Sequence, residues 1–104
     1  MAEFYDAVPA DDVPDESASV IEVNGKEIAL VRTGGQFYAM QNECTHANYP
    51  LGEGDLVGEN VLECPGHGST FNVETGEVIS GPAEDPVETY EVQVVDGMVR
   101  VAVE

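Results

Sequence analysis

The chain is nearly devoid of positive charge. Its 104 residues carry 3 Lys plus Arg against 21 Asp plus Glu, a formal net charge of −18. Proteins that hold duplex nucleic acid or an anionic membrane surface neutralise phosphates with Lys and Arg, so neither partner is expected here. Long apolar runs are missing too. No stretch approaches the roughly 20 residues of a membrane-spanning helix. Met1-Ala2-Glu3-Phe4-Tyr5-Asp6 offers no basic region and no apolar run of signal-peptide length. These absences read as a cytoplasmic protein. Tryptophan is absent, and the chain has only 2 Cys and 2 His. Nothing resembles a nucleophile–base pair or an acid–base dyad, so catalytic residues are not expected. The acidity admits two compatible readings: solubility, including adaptation to a salty cytoplasm, or a negative surface that steers toward positive patches on protein partners.

What remains is a small all-β pattern. The length bounds the chain to a single domain, residues 1–104, and an apolar fraction of 42% supplies one modest core. Phe4 to Val8 reads as a short strand, followed by an acidic, proline-bearing turn from Pro9 to Pro14. Ser19–Val23 and Glu27–Arg32 flank Asn24-Gly25, the strongest short hairpin signal because both turn residues take positive φ. Thr33-Gly34-Gly35-Gln36 turns into a third strand, Phe37 to Met40. Residues 41 to 57 read as one long loop, and loops beyond about 12 residues in a compact domain are usually functional. Val61-Leu62-Glu63 reads as a strand. Thr70–Val73 and Val78-Ile79 read as a hairpin, and Gly81 to Pro86 as a loop. Glu88–Val95 and Met98–Val103 form a closing hairpin around Asp96-Gly97. No segment carries a helical period of apolar residues. The expected fold is an antiparallel sandwich or small barrel.

Both cysteines and both histidines fall in two short stretches, Cys44-Thr45-His46 and Cys64-Pro65-Gly66-His67. Thiolate and imidazole are the soft-to-borderline metal ligands of proteins. Two tight pairs with none left over point to one metal centre. Tetrahedral zinc is satisfied by two cysteines and two histidines, so a structural zinc module stays open on this ground, although C-x-H is an uncommon zinc spacing. A disulfide between the two cysteines is the remaining alternative, and it leaves both histidines unexplained.

The pair C-x-H and C-x-x-H, separated by residues 47 to 63, resembles the Rieske iron–sulfur motif. Cys64-Pro65-Gly66-His67-Gly68-Ser69-Thr70-Phe71 is similar to the second cluster-binding loop of Rieske-type ferredoxins. Gly81-Pro82-Ala83 resembles the proline loop that covers the cluster in that family. The resemblance implies an antiparallel β base bearing a cluster-binding subdomain at about residues 41–83. It implies one [2Fe-2S] Rieske cluster, with Cys44 and Cys64 on the inner iron and His46 and His67 on the outer one. Two ferric ions, two sulfides, two thiolates and two neutral imidazoles sum formally to zero. A four-thiolate cluster sums to minus two, so the mixed centre is easier to reduce.

Respiratory Rieske proteins carry a disulfide-forming cysteine in each loop and a tyrosine two residues after the serine. The matching positions here are Tyr49, Gly66 and Phe71. These departures resemble the low-potential ferredoxins of bacterial aromatic-ring-hydroxylating dioxygenase systems. The resemblance therefore implies a monomeric one-electron carrier in aromatic hydrocarbon catabolism, not itself an enzyme. Its partners would be an NAD(P)H-dependent flavin reductase and a terminal oxygenase. A Rieske-like small subunit of a nitrite reductase is the alternative within the same resemblance. Gly66 and Gly68 would let N–H groups approach the sulfurs or serve as turn glycines, and the Ser69 hydroxyl would donate to a sulfide or cap its turn.

Overall fold

The computed structural model describes residues 3–44, 49–66, 68–81 and 85–103. His46, His67, Pro82 and Ala83 lie outside the described residues. Among those described there is no α-helix, and no helix is long and apolar enough to cross a membrane. Eleven strands form three antiparallel sheets.

The first two hairpin signals produce the central sheet. β2 (Ser17–Val23), β3 (Lys26–Thr33) and β4 (Gln36–Gln41) form a meander, and β9 (Thr89–Tyr90) adds to β4. Asn24 and Gly25 take φ of 50° and 79°, as a two-residue hairpin turn whose twist matches its strands demands. β3 is buried on both faces. Ile28 and Leu30 point into one apolar cluster with Val99, Val101 and Val103, while Ala29 and Val31 point into another with Met40, Leu62 and Phe71. That double burial accounts for the unbroken Ile28-Ala29-Leu30-Val31 run, where a strand with one wet face would alternate. Ile28 and Leu30 are fully buried, and each such side chain contributes about 1.5–3 kcal/mol.

The base sheet pairs β1 (Glu3–Pro9) with β11 (Met98–Val103), and β11 with β10 (Val92–Val95). The sequence reads Glu88–Val95 as one strand, but it divides at Glu91. β9 pairs with β4 and β10 with β11, so this segment passes from the central sheet to the base sheet. The Glu91 carbonyl accepts the Ala102 N–H at 2.9 Å, which anchors the crossing.

The third sheet holds β5 (Asp55–Gly58), β6 (Val61–Glu63), β7 (Thr70–Asn72) and β8 (Val78–Ser80) in that order. Here the single long loop over 41–57 is corrected. Leu51–Glu53 form a 3-10 turn, and residues 55–58 form a strand antiparallel to β6, with Leu56 opposite Leu62. Its signal is faint because only Leu56-Val57 are apolar and Gly54 and Gly58 flank them, and a register shift between Leu56 and Gly58 breaks the period. The remaining strands of this sheet lie where the sequence places them.

Candidate metal centre

Each cysteine leaves the end of an antiparallel ladder, and the two loops close in the same way. In the first, Glu43 bridges Pro50, and the Cys44 N–H donates to the Tyr49 carbonyl at 3.0 Å. In the second, Glu63 pairs with Thr70, and the Cys64 N–H donates to the Ser69 carbonyl at 2.7 Å. Each bond closes a loop whose sequence includes a histidine.

Two side chains that the sequence does not single out fix the root of the first loop. The Asn42 carbonyl accepts the Leu51 N–H at 2.5 Å, and its side-chain oxygen accepts the Gly52 N–H at 2.9 Å. The Gln41 amide donates to the Glu43 carbonyl and accepts the Glu88 N–H, both at 2.8 Å. Nothing in their sequence pattern separates these residues from ordinary polar loop positions.

The two thiols sit in one dry environment. Cys44 and Cys64 are each 2% exposed and belong to the same apolar cluster as Leu51, Leu62, Phe71 and Val73. They are not joined in a disulfide, which removes that alternative. Ser69 is 1% exposed and lies against Gly81, where a Cβ would stand 2.5 Å from the Ser69 Cα. The proline-loop segment thus starts in contact with the second cysteine loop. Gly68 has φ of +78° and its N–H donates to the Cys64 carbonyl at 3.3 Å, the turn-glycine role. Phe71 is fully buried in the cluster that contains both thiols.

Charge is distributed unevenly along the fold. Between Arg32 and Arg100 the chain has no Lys or Arg. All three basic residues are engaged in the central and base sheets. Lys26 lies 5.5 Å over the Tyr90 ring, Arg32 lies 4.9 Å over the Phe37 ring and donates to the Val13 carbonyl, and Arg100 pairs with Asp6 at 3.0 Å. Glu43, Glu53 and Asp85 are exposed near the loops. An open groove flanks the first loop, lined by Glu27, Glu43, Tyr49 and Glu53 and also by Lys26.

This donor set suits a sulfur-ligated metal group. Two buried thiols in one apolar cluster, each at the root of its loop, supply soft ligands, and their apolar surroundings exclude water. Both histidines fall on the same loops in sequence.

Comparison with known proteins agrees with this chemistry. The Rieske [2Fe-2S] domain model matches residues 3–91. The 3-phenylpropionate/cinnamic acid dioxygenase ferredoxin subunit of Escherichia coli (strain K12) is 41% identical over 91 residues, which is 88% of this chain and 85% of the relative. The ferredoxin of carbazole 1,9a-dioxygenase from Nocardioides aromaticivorans IC177 superposes with a TM-score of 0.91 at 31% identity, covering 97% of this chain and 98% of that one. A chain of the complex of reduced oxygenase and oxidized ferredoxin in carbazole 1,9a-dioxygenase gives a TM-score of 0.88 at 38% identity, covering 95% of this chain and 92% of that one.

Proposed function

The chain belongs to the Rieske [2Fe-2S] domain family, and we propose that it is the ferredoxin component of a multicomponent aromatic-ring dioxygenase, holding its cluster through Cys44, His46, Cys64 and His67. It carries electrons and is not the catalytic oxygenase. Likeness to dioxygenase ferredoxin subunits along nearly the whole chain carries this reading. When bound, the cluster supplies a one-electron couple that is formally neutral when oxidised and −1 when reduced. The chain's own part is to hold two thiolates in a dry apolar cluster and to fix the two loops that bear them. We read residues 1–104 as one domain, with the cluster-binding subdomain at about 41–83.

The electron donor is an NAD(P)H-dependent flavin reductase and the acceptor a terminal oxygenase, all in the cytoplasm, with the ferredoxin a monomer. The match to a ferredoxin seen in complex with its oxygenase supports the acceptor. Neither the zinc module nor the nitrite reductase subunit is favoured by any feature of the fold or of its relatives.

The test is reconstitution with a flavin reductase and NADH, then with an aromatic-ring oxygenase. Reduced ferredoxin should give single-turnover product only when the oxygenase is present. The charge layout adds a prediction. Carboxylates around the loops, in a chain of net charge −18, should steer it toward basic partner surfaces. Raising salt from about 10 mM to about 0.5 M should slow transfer roughly tenfold or more, because steering falls steeply as exposed charges are screened. A rate that stays flat over this range assigns the −18 charge to solubility instead.

A further inference from the structure

Gly66 lies inside the second metal loop, yet its backbone gives no reason for a glycine. It is not among the residues with positive φ, unlike Gly68 two positions on, at +78°. Any residue can adopt its conformation. The requirement comes from a neighbour. A Cβ built on Gly66 would stand 2.6 Å from the Tyr49 Cγ and closer still to Cδ2 and Cε2, and these three atoms are the nearest of all. Cγ is the root of the ring. A ring flip therefore does not relieve the overlap, and the whole side chain has to swing away.

The main chain of Tyr49 is held in place. Its carbonyl accepts the Cys44 N–H at 3.0 Å, and Pro50 after it bridges Glu43. One residue therefore touches both metal loops: its main chain closes the loop of Cys44, and its ring rests on the backbone two residues beyond Cys64. Tyr49 is 39% exposed, whereas the two cysteines are each 2% exposed. Its ring packs on the Cys64 loop at Gly66, and part of the residue is in solvent.

We propose that Tyr49 is a positioning residue that sets the spacing of the two cysteine loops, and that Gly66 is bare because the Tyr49 ring occupies the place of its side chain. This rests on the cluster reading above. The pair does two things for the bound group. It holds the Cys64 loop against the Cys44 loop, which slows loss of iron. It also keeps water from that side of the Cys64 loop, which lowers the reduction potential, because water favours the more negative reduced state.

The experiment is a double-mutant comparison on purified holoprotein. It scores the half-life of the visible band in excess chelator, the EPR g values after reduction, and the potential by voltammetry. Gly66→Ala should bleach about tenfold faster or more, the scale of an overpacked contact, with shifted g values. Tyr49→Ala should assemble its cluster with a raised potential, and Tyr49→Phe should stay within about twofold of wild type in half-life. The decisive variant is Tyr49→Ala/Gly66→Ala. With the ring gone, the added methyl meets open space, so Gly66→Ala should cost little in that background. If Gly66→Ala fails to assemble at all, the double variant should still assemble. A harmless Gly66→Ala, equal damage in both backgrounds, or Tyr49→Ala with unchanged potential and g values each overturns the proposal. Iron and sulfide analysis of wild type decides the cluster reading separately. A clean wild-type cluster with no rescue counts against the Tyr49–Gly66 pair alone.

Discussion

Cys64→Ser should yield a colourless chain without iron or labile sulfide, and one that is much less stable than the parent. The thiol is 2% exposed, within the apolar cluster formed by Leu62, Phe71 and Val73. A serine hydroxyl does not ionise near neutral pH, so a thiolate ligand is lost outright. Group binding by residues that meet only in the folded state contributes directly to folding free energy. Its removal belongs to the few mechanisms that cost more than about 4 kcal/mol. The buried hydroxyl adds about 1–3 kcal/mol if it finds no partner. Cys64→Ala separates these effects, since it removes the ligand without introducing a polar group. Both variants should lack the visible band, and Cys64→Ala should melt at the higher temperature. Iron analysis and thermal unfolding read the two outcomes. A Cys64→Ser protein with a wild-type spectrum would take Cys64 out of the ligand set.

Phe71→Ala should lower stability by about 3–5 kcal/mol, the range for deleting a buried aromatic ring. Phe71 is 0% exposed, stands opposite Leu62 in the β6–β7 ladder, and packs in the cluster that holds both thiols. Its removal opens a cavity directly beneath the metal loops. Domains of this size have about 5–15 kcal/mol in all. The melting temperature should therefore fall by roughly 12–40 °C, at about 4–8 °C per kcal/mol. Cluster loss in chelator should accelerate in step, since both cysteines rest on this packing. Val57→Ala is the control. Val57 is apolar but 52% exposed in the same sheet, and its truncation should stay within about 0.5 kcal/mol. If Phe71→Ala cost no more than Val57→Ala, the burial beneath the loops would have been assigned to the wrong side chain.

Most of the strand order is legible because local chemistry and global fold agree. Asn24-Gly25 and Asp96-Gly97 announce their hairpins, and all four residues take positive φ between 50° and 79°. The Val61-Leu62-Glu63 and Met98–Val103 strands carry enough apolar or β-branched residues to be read directly. What escapes is non-local. β5 has two apolar residues, and its existence depends on pairing with β6, which the sequence does not state. The break at Glu91 depends on two different partner strands competing for one segment.

The cysteine loops follow the same division. Their residue types and spacing expose the metal chemistry before any fold is known, and the thiols do lie in one apolar cluster. The residues that hold the loops in place do not show in this way. Gln41 and Asn42 look like any polar pair until their amides are found on Glu43, Glu88 and Gly52. Gly66 reads as a glycine that lets an N–H approach the sulfurs or turns its loop, whereas its φ is not positive and the ring of Tyr49 explains it.

The EPR spectrum of the dithionite-reduced wild-type protein tests the central claim most directly. Mixed cysteine and histidine ligation predicts an S = 1/2 signal from a reduced two-iron cluster, with a mean g value below that of plant-type, four-cysteine clusters. A reduced protein with no such signal, or one whose mean g equals that of a four-thiolate cluster, would contradict it.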